Sequence, residues 1–413
     1  MPYETVFRAP LEIADGQATI SWLNNDKGFQ LDGRNIDVKA KAVHARGGFR
    51  YLQPANDEPW LGILAGISTD DGSQAWRYFP ENLMGKDLVD YLSGAIQGGE
   101  ADNATLVYGG NPQLFPYKHN EGQFEVLVPL RNAKFAFQPD WPALTNLDIE
   151  LDFINDGLWM KTDGVNLGGV RASNLTAVLP DYSKEKLLID ADIKGPGKAV
   201  GPYFDETPLK DSLGATLQEL QLDGDVNARL HLDIPLNGEL VTAKGEVTLR
   251  NNSLFIKPLD STLKNLSGKF SFINGDLQSE PLTASWFNQP LNVDFSTKEG
   301  AKAYQVAVNL NGNWQPAKTG FLPAAVNEAL SGSVAWDGKV GIELPYHAGA
   351  TYNVELNGDL KNVSSHLPSP LAKPAGEPLP VNVKVDGNLN SFELTGQAGA
   401  DNHFNSCWLL GQK

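Results

Sequence analysis

Residues 223–238 read DGDVNARLHLDIPLNG. Between the turn-forming pairs Asp223-Gly224 and Asn237-Gly238, the residues Val226, Ala228, Leu230, Leu232 and Ile234 alternate with Asn227, Arg229, His231 and Asp233. Side chains of a strand point to opposite faces in turn, so this run has one oily face and one wet face. That is the signature of an antiparallel strand with one solvated side.

The same period recurs outward in both directions. Ile149, Leu151 and Phe153 alternate with Glu150 and Asp152, and Val306, Val308 and Leu310 with Gln305 and Asn309. Tyr352, Val354 and Leu356 repeat it, as do Val381, Val383 and Val385. Turn signals separate many such runs: Asp32-Gly33, Asn274-Gly275, Asn311-Gly312, Asp337-Gly338, Asn357-Gly358 and Asp386-Gly387 join the two pairs above. Asn-Gly and Asp-Gly suit type I′ turns, so nearly all eight are expected at hairpin tips. Helix is expected only over Leu83–Ile96, Thr207–Leu220 and Leu322–Leu330.

An internal repeat runs through these strands. Leu130-Arg131-Asn132 returns as Leu249-Arg250-Asn251, Asn146-Leu147 as Asn265-Leu266, and Phe153-Ile154-Asn155 as Phe272-Ile273-Asn274, each pair about 119 positions apart. Self-similarity at a fixed period marks units that bury their faces against neighbours. The expected organisation is one continuous repetitive segment over 1–413, in approximate units 1–124, 125–243, 244–362 and a partial 363–413.

Composition narrows the function. The 413 residues are 41% hydrophobic and 20% charged, too apolar for disorder. A net charge of −17 argues against nucleic acid and against polybasic docking on anionic lipid. The single cysteine, Cys407, excludes an intrachain disulfide framework. No apolar run reaches the roughly 20 residues of a spanning helix; Trp60–Ile67 comes nearest. No leader-like segment follows Met1, and the abrupt strand-like opening reads as a piece of a longer protein.

Chemistry finds little purchase. Six scattered histidines show no metal-ligand spacing, and no nucleophile elbow, phosphate loop or dinucleotide fingerprint occurs. Asp223, Asp225 and Asn227 imitate the start of a calcium loop, but Ala228 and Ile234 replace its glycine and bidentate acid. The acid pairs Asp148/Glu150 and Asp190/Asp192 lack an aromatic sugar platform in the local sequence and are expected to be solvated. The aromatics Trp76, Tyr78, Phe79, Trp286, Phe287 and Trp314 either anchor turns on the core or line a groove mouth. Neither enzyme activity, metal nor cofactor is expected.

Apolar area decides the fold class. Roughly 25 strands, each with an apolar face, have only three short helices to cover them. Uncovered apolar surface costs about 25 cal/mol per Å², so it must meet another sheet, the same sheet curled round, or a ligand. Without linkers between sandwich-sized domains, the expected fold is mainly β: a long curled antiparallel sheet, a taco-like repeating β-groove, with a few short helices. An oily trough of this kind suits acyl chains, each CH₂ contributing about 0.8 kcal/mol. Expected lining residues are Leu151, Phe153, Leu230, Leu232, Val247, Leu249, Phe270, Phe272, Val308, Leu310, Val354, Leu356, Val383 and Val385.

Three passages carry a family likeness. Trp141–Phe153 (WPALTNLDIELDF), Val247–Phe272 (VTLRNNSLFIKPLDSTLKNLSGKFSF) and Phe321–Trp336 (FLPAAVNEALSGSVAW) resemble the AsmA-like family of Gram-negative bacteria. The resemblance implies a long β-groove crossing the periplasm, anchored in the inner membrane by an N-terminal helix that is absent here. It also implies a kinship with bridge-like lipid transfer proteins, phospholipid as the cargo, and outer-membrane or periplasmic protein partners. The competing expectation is a structural or adhesive β-solenoid that binds proteins and carries no lipid.

Overall fold

The computed structural model describes residues 7–207, 210, 214–257, 260–320, 323–369, 371–388, 390–400 and 402–409. Its strands are β1 (Ile13–Asn25), β2 (Gly28–Ala40), β3 (Val43–Pro54), β4 (Trp60–Thr69), β5 (Ile96–Gly110), β6 (Gln123–Phe135), β7 (Leu144–Ile154), β8 (Gly157–Leu167), β9 (Val170–Leu179) and β10 (Lys186–Pro196). There follow β11 (Leu220–Asp223), β12 (Asp225–Pro235), β13 (Thr242–Ile256), β14 (Ser261–Ile273), β15 (Asp276–Ser279), β16 (Leu282–Trp286), β17 (Gln289–Glu299) and β18 (Ala303–Trp314). The last are β19 (Leu330–Gly332), β20 (Val334–Pro345), β21 (Thr351–Asp359), β22 (Val363–Ser365), β23 (Pro380–Asn388), β24 (Ser391–Ala398) and β25 (Asn402–Leu409). Twenty-three of them belong to one long antiparallel sheet, and β19 pairs with β22 apart from it. Among the described residues five short α-helices interrupt the strands: α1 (Glu81–Met84), α2 (Lys86–Ala95), α3 (Val200–Phe204), α4 (Ala215–Glu219) and α5 (Ala324–Ala329). The expected fold class is the observed one.

The chain divides into two compact units. Unit 1 comprises Met1–Leu167, Arg171–Ile193 and Leu230–Ala243; unit 2 comprises Gly168–Val170, Lys194–Arg229 and Lys244–Lys413. In unit 1 the core forms where α2 lies on the sheet. Apolar residues at Leu88, Val89, Leu92 and Ala95 follow helical spacing, and all four are buried against Leu147, Ile149, Leu151, Phe153 and Leu158. Each large one contributes about 1.5–3 kcal/mol by leaving water. Gly85, at φ 80°, breaks the expected single helix into α1 and α2. Arg8 ties α1 and α2 together through Glu81 and Asp90. Around the second expected helix, α4 covers only Ala215–Glu219; residues 208–209 and 211–213 lie outside the described residues.

The repeat has a structural meaning. In β6 and β7 the pairing steps from Leu130↔Ile149 to Ala133↔Leu147 to Phe135↔Leu144, leaving unpaired residues at each step. In β13 and β14 it steps from Leu249↔Gly268 to Asn252↔Leu266 to Leu254↔Leu263, the same two steps displaced by the repeat interval. The shared asparagines sit at these bulges with left-handed backbones: Asn132 and Asn146 at φ 50° and 51°, Asn251 and Asn265 at 59° and 55°. The freed N–H of Asn132 donates to Asp148 Oδ1 at 3.1 Å, and that of Asn251 to Ser267 Oγ at 2.8 Å. Asn tolerates this conformation where most residues do not. Asn251→Ala is therefore expected to cost about 1 kcal/mol and Asn251→Gly close to nothing, read by chemical denaturation.

One sequence expectation fails. Asp32-Gly33, Asn311-Gly312, Asp337-Gly338, Asn357-Gly358 and Asp386-Gly387 lie inside β2, β18, β20, β21 and β23, not at hairpin tips. The glycines make room for neighbouring side chains. A Cβ on Gly33 would meet the Phe49 ring at 2.2 Å, one on Gly312 the Trp314 indole at 2.8 Å, and one on Gly338 the Leu356 side chain at 2.6 Å. A ring laid across a strand glycine restores the packing that the missing side chain forfeits. Asn274-Gly275 is a true tip, joining Ile273 to Asp276. Asn155-Asp156 and Phe287-Asn288 form further tips that the Asn-Gly pattern misses.

Candidate functional site

Cross-strand register sorts the expected lining residues into rows. Directly opposed residues of an antiparallel pair point to the same face. In unit 2 one row runs Phe295–Val308–Val340–Val354–Val385–Leu394 across six strands. The next runs Val293–Leu310–Gly338–Leu356–Val383–Gly396 across the same strands. Six of the expected residues thus fall side by side in a two-row apolar strip about 24 Å long at ~4.8 Å per strand. Val340 and Leu394 extend it, with Ile342 in the next row beside Val306 and Tyr352, and the alternation in Val334–Pro345 was the signal available for Val340 and Ile342.

The strip is covered unevenly. At β17 and β18 an aromatic cluster packs on it: Trp314 and Val293 are buried, with Trp286, Phe287, Trp336, Val308 and Leu310 against them. Trp314 and Trp336 approach edge-on at 4.7 Å, and Trp286 Nε1 donates to Ser261 Oγ at 2.7 Å. From β21 onward Val354, Leu356, Val383 and Val385 are only half-buried and belong to none of the buried core. Tyr352, one position along β21, has its hydroxyl pKa raised by burial.

The opposite face of these strands satisfies itself. Asn292 Nδ2 donates to Asn311 Oδ1 at 2.9 Å, Asn309 Nδ2 to Asp294 Oδ1 at 2.7 Å, and Asn382 Nδ2 to Asn357 Oδ1 at 2.7 Å. Lys384 Nζ lies 3.6 Å from Glu355 Oε1. Polar groups are paired outside, while the apolar row has nothing polar to pair.

The remaining expected residues divide in the same manner. Val247, Leu249 and Phe270 belong to a second core cluster with Val226, Leu266, Leu282 and Ala284. Leu230 and Phe272 are half-buried, the Phe272 ring lying over Gly245. In unit 1, Leu151 and Phe153 are 2% and 8% exposed beneath the α2 core, and Leu232 packs on its border. Phe79 covers Phe153 with ring centroids 6.3 Å apart, so it anchors the turn before α1 onto the sheet.

The acid pairs are engaged in ladder contacts. Asp190 Oδ1 lies 2.8 Å from His231 Nδ1, Asp192 accepts from Asn174 at 2.9 Å, and Glu150 pairs with Lys161 at 2.8 Å. Asp223 and Asp225 present backbone carbonyls to Asn252 Nδ2, both at 3.1 Å. Among the described residues no group of three potential metal ligands gathers.

A sheet that is polar and self-paired on one side and carries a long apolar strip on the other is the geometry of a binding or conducting surface. The chain belongs to the YhdP protein family, whose family model matches residues 1–413. It is 98% identical over all 413 residues to the intermembrane phospholipid transporter YhdP of Escherichia coli (strain K12), and spans 33% of that relative's length. No solved structure matches. Among the described residues no helix is long and apolar enough to cross a membrane.

Proposed function

We propose that the chain is a segment of an intermembrane phospholipid transporter in which acyl chains pass along the apolar sheet face. The near-identical relative bears that name, and the half-buried strip at Val354, Leu356, Val383 and Val385 is the observation that carries the mechanism. Shielding is passive: each CH₂ seated there leaves water for about 0.8 kcal/mol, and headgroups remain solvated. Such a surface recognises chain length more than headgroup. The whole transporter is proposed to stand in the periplasm, held in the inner membrane by a part outside this chain. The unit of about 119 residues is proposed as its module, with boundaries near 124, 243 and 362.

Within this reading the lining is not uniform. Acyl chains are proposed to use Leu230, Phe272, Val308, Leu310, Val354, Leu356, Val383 and Val385. Leu151 and Phe153 are occupied by α2 in this conformation. A photo-crosslinking side chain at Val383 in the full-length protein is expected to label phospholipid, and one at Lys384, on the other face, is not. Equal labelling would overturn the conduit and leave the structural-solenoid reading.

A further inference from the structure

Unit 1 carries an apolar strip on the wrong side of its sheet. Leu64, Trp60 and Trp159 are 64%, 41% and 37% exposed. Register places them opposite the core. One row runs Leu64–Val107–Glu125–Ile154, and the next Thr105–Leu127–Asp152–Trp159. The alternate positions Ile63, Tyr108, Phe124, Val126 and Phe153 supply the inward face.

The two tryptophans are laid flat. A Cβ on Gly62 would meet the Trp60 ring at 2.2 Å, and one on Gly157 the Trp159 ring at 2.5 Å. The rings over Gly33, Gly245, Gly312 and Gly396 sit instead on the apolar side. Between Trp60 and Trp159 the strip crosses five strands, about 19 Å, which is the scale of one side of a standard protein interface.

Directly opposite Trp159 the strip holds an acid, Asp152. Asp152 Oδ1 is buried without a hydrogen-bond partner. Burial, then repulsion from Glu125 and Glu150, pushes its carboxyl pKa up, and Lys161 counters this only in part while pairing with Glu150. Ionised, that carboxylate destabilises the folded sheet. An acyl chain or an anionic membrane laid on this face would deepen the penalty. A second copy of a chain with net charge −17 is disfavoured by repulsion. A cation set among apolar side chains would relieve it.

We propose that this face of unit 1 is the docking surface for a protein partner that places one arginine or lysine, framed by apolar residues, against Asp152. The proposal stands apart from the transport reading, since within unit 1 the expected lining residues Leu151 and Phe153 lie on the opposite face from Asp152 and Trp159. In the full-length protein, photo-crosslinkers at Leu64 and at Trp159 are expected to capture a protein of the same mass. Asp152→Lys is expected to reduce the yield about tenfold and Asp152→Glu to preserve it. A crosslinker at Asn309 is expected to yield no such adduct. Independently, hydrogen exchange over β7 and β8 should show Asp152→Asn no less protected than the native protein at pH 7. The raised pKa sets the sign: the ionised carboxylate penalises folding above it, and the difference closes as pH falls below it. The idea is overturned by lipid or glycan adducts only, by no adduct, by a protein adduct indifferent to Asp152→Lys, or by weaker protection in Asp152→Asn.

Discussion

On the proposed lipid path, Val383→Asp in the full-length protein is expected to cut phospholipid delivery roughly a hundredfold while leaving the sheet folded. Val383 lies in the half-buried part of the strip, opposed by Leu356 on one neighbouring strand and Gly396 on the other. An acyl chain crossing that point must strip water from the new carboxylate. Even partial desolvation of an unpaired charge costs about 3 kcal/mol, which is roughly two decades in rate. Aspartate is the informative choice because it is short; a lysine could snorkel its charge to the edge and let the chain pass. The position is half-buried, so the folded state keeps the charge near water and tolerates it. Lys384→Asp changes charge on the other face and loses only an exposed pair with Glu355, worth about 0–1 kcal/mol, so delivery should be unchanged. Lipid flow between labelled donor and acceptor membranes measures both. Unimpaired flow in Val383→Asp would place the path elsewhere.

The second large effect concerns α2. Leu92 is fully buried and Val89 beside it equally so, both within the unit 1 core. Leu92→Ala is expected to destabilise unit 1 by about 3 kcal/mol, the transfer cost of the lost methyls plus the cavity they leave. Hydrogen exchange should show the loss over β5 to β8 and leave β20 to β25 untouched. The same helix should govern lipid access. Phe153 and Phe272 occupy equivalent positions of the repeat, yet Phe153 lies under Phe79 and the helix core while Phe272 is half-open. A benzophenone side chain at Phe272 is therefore expected to label lipid several-fold more than one at Phe153, and Leu92→Ala should raise the yield at Phe153. Equal yields in the native protein would mean that α2 leaves the face or that lipid does not bind it.

That pair of phenylalanines marks the boundary between what is local and what is not. Strand identity, the two-faced character of each strand and the interval of the repeat were legible in the order of residues, because alternation depends only on the extended backbone. The repeat asparagines were legible as a pattern, and their role as bulge residues followed once register was known. The Asp-Gly and Asn-Gly pairs misled, since the same dipeptide serves a hairpin tip at Gly275 and a ring-covered strand interior at Gly312. Which of the two applies depends on whether a neighbouring side chain, such as the Trp314 ring over Gly312 or Leu356 over Gly338, packs on the glycine.

Coverage was decided by the tertiary structure alone. Leu151 and Val354 look alike in sequence, each an apolar residue between polar neighbours. Leu151 disappears beneath side chains from α2, some sixty residues earlier, whereas Val354 stays half-open. The inversion at Trp60, Leu64 and Trp159 is of the same kind. Alternation states that a strand has two faces, and only the packing of distant segments determines which face meets the core and which is left for a partner.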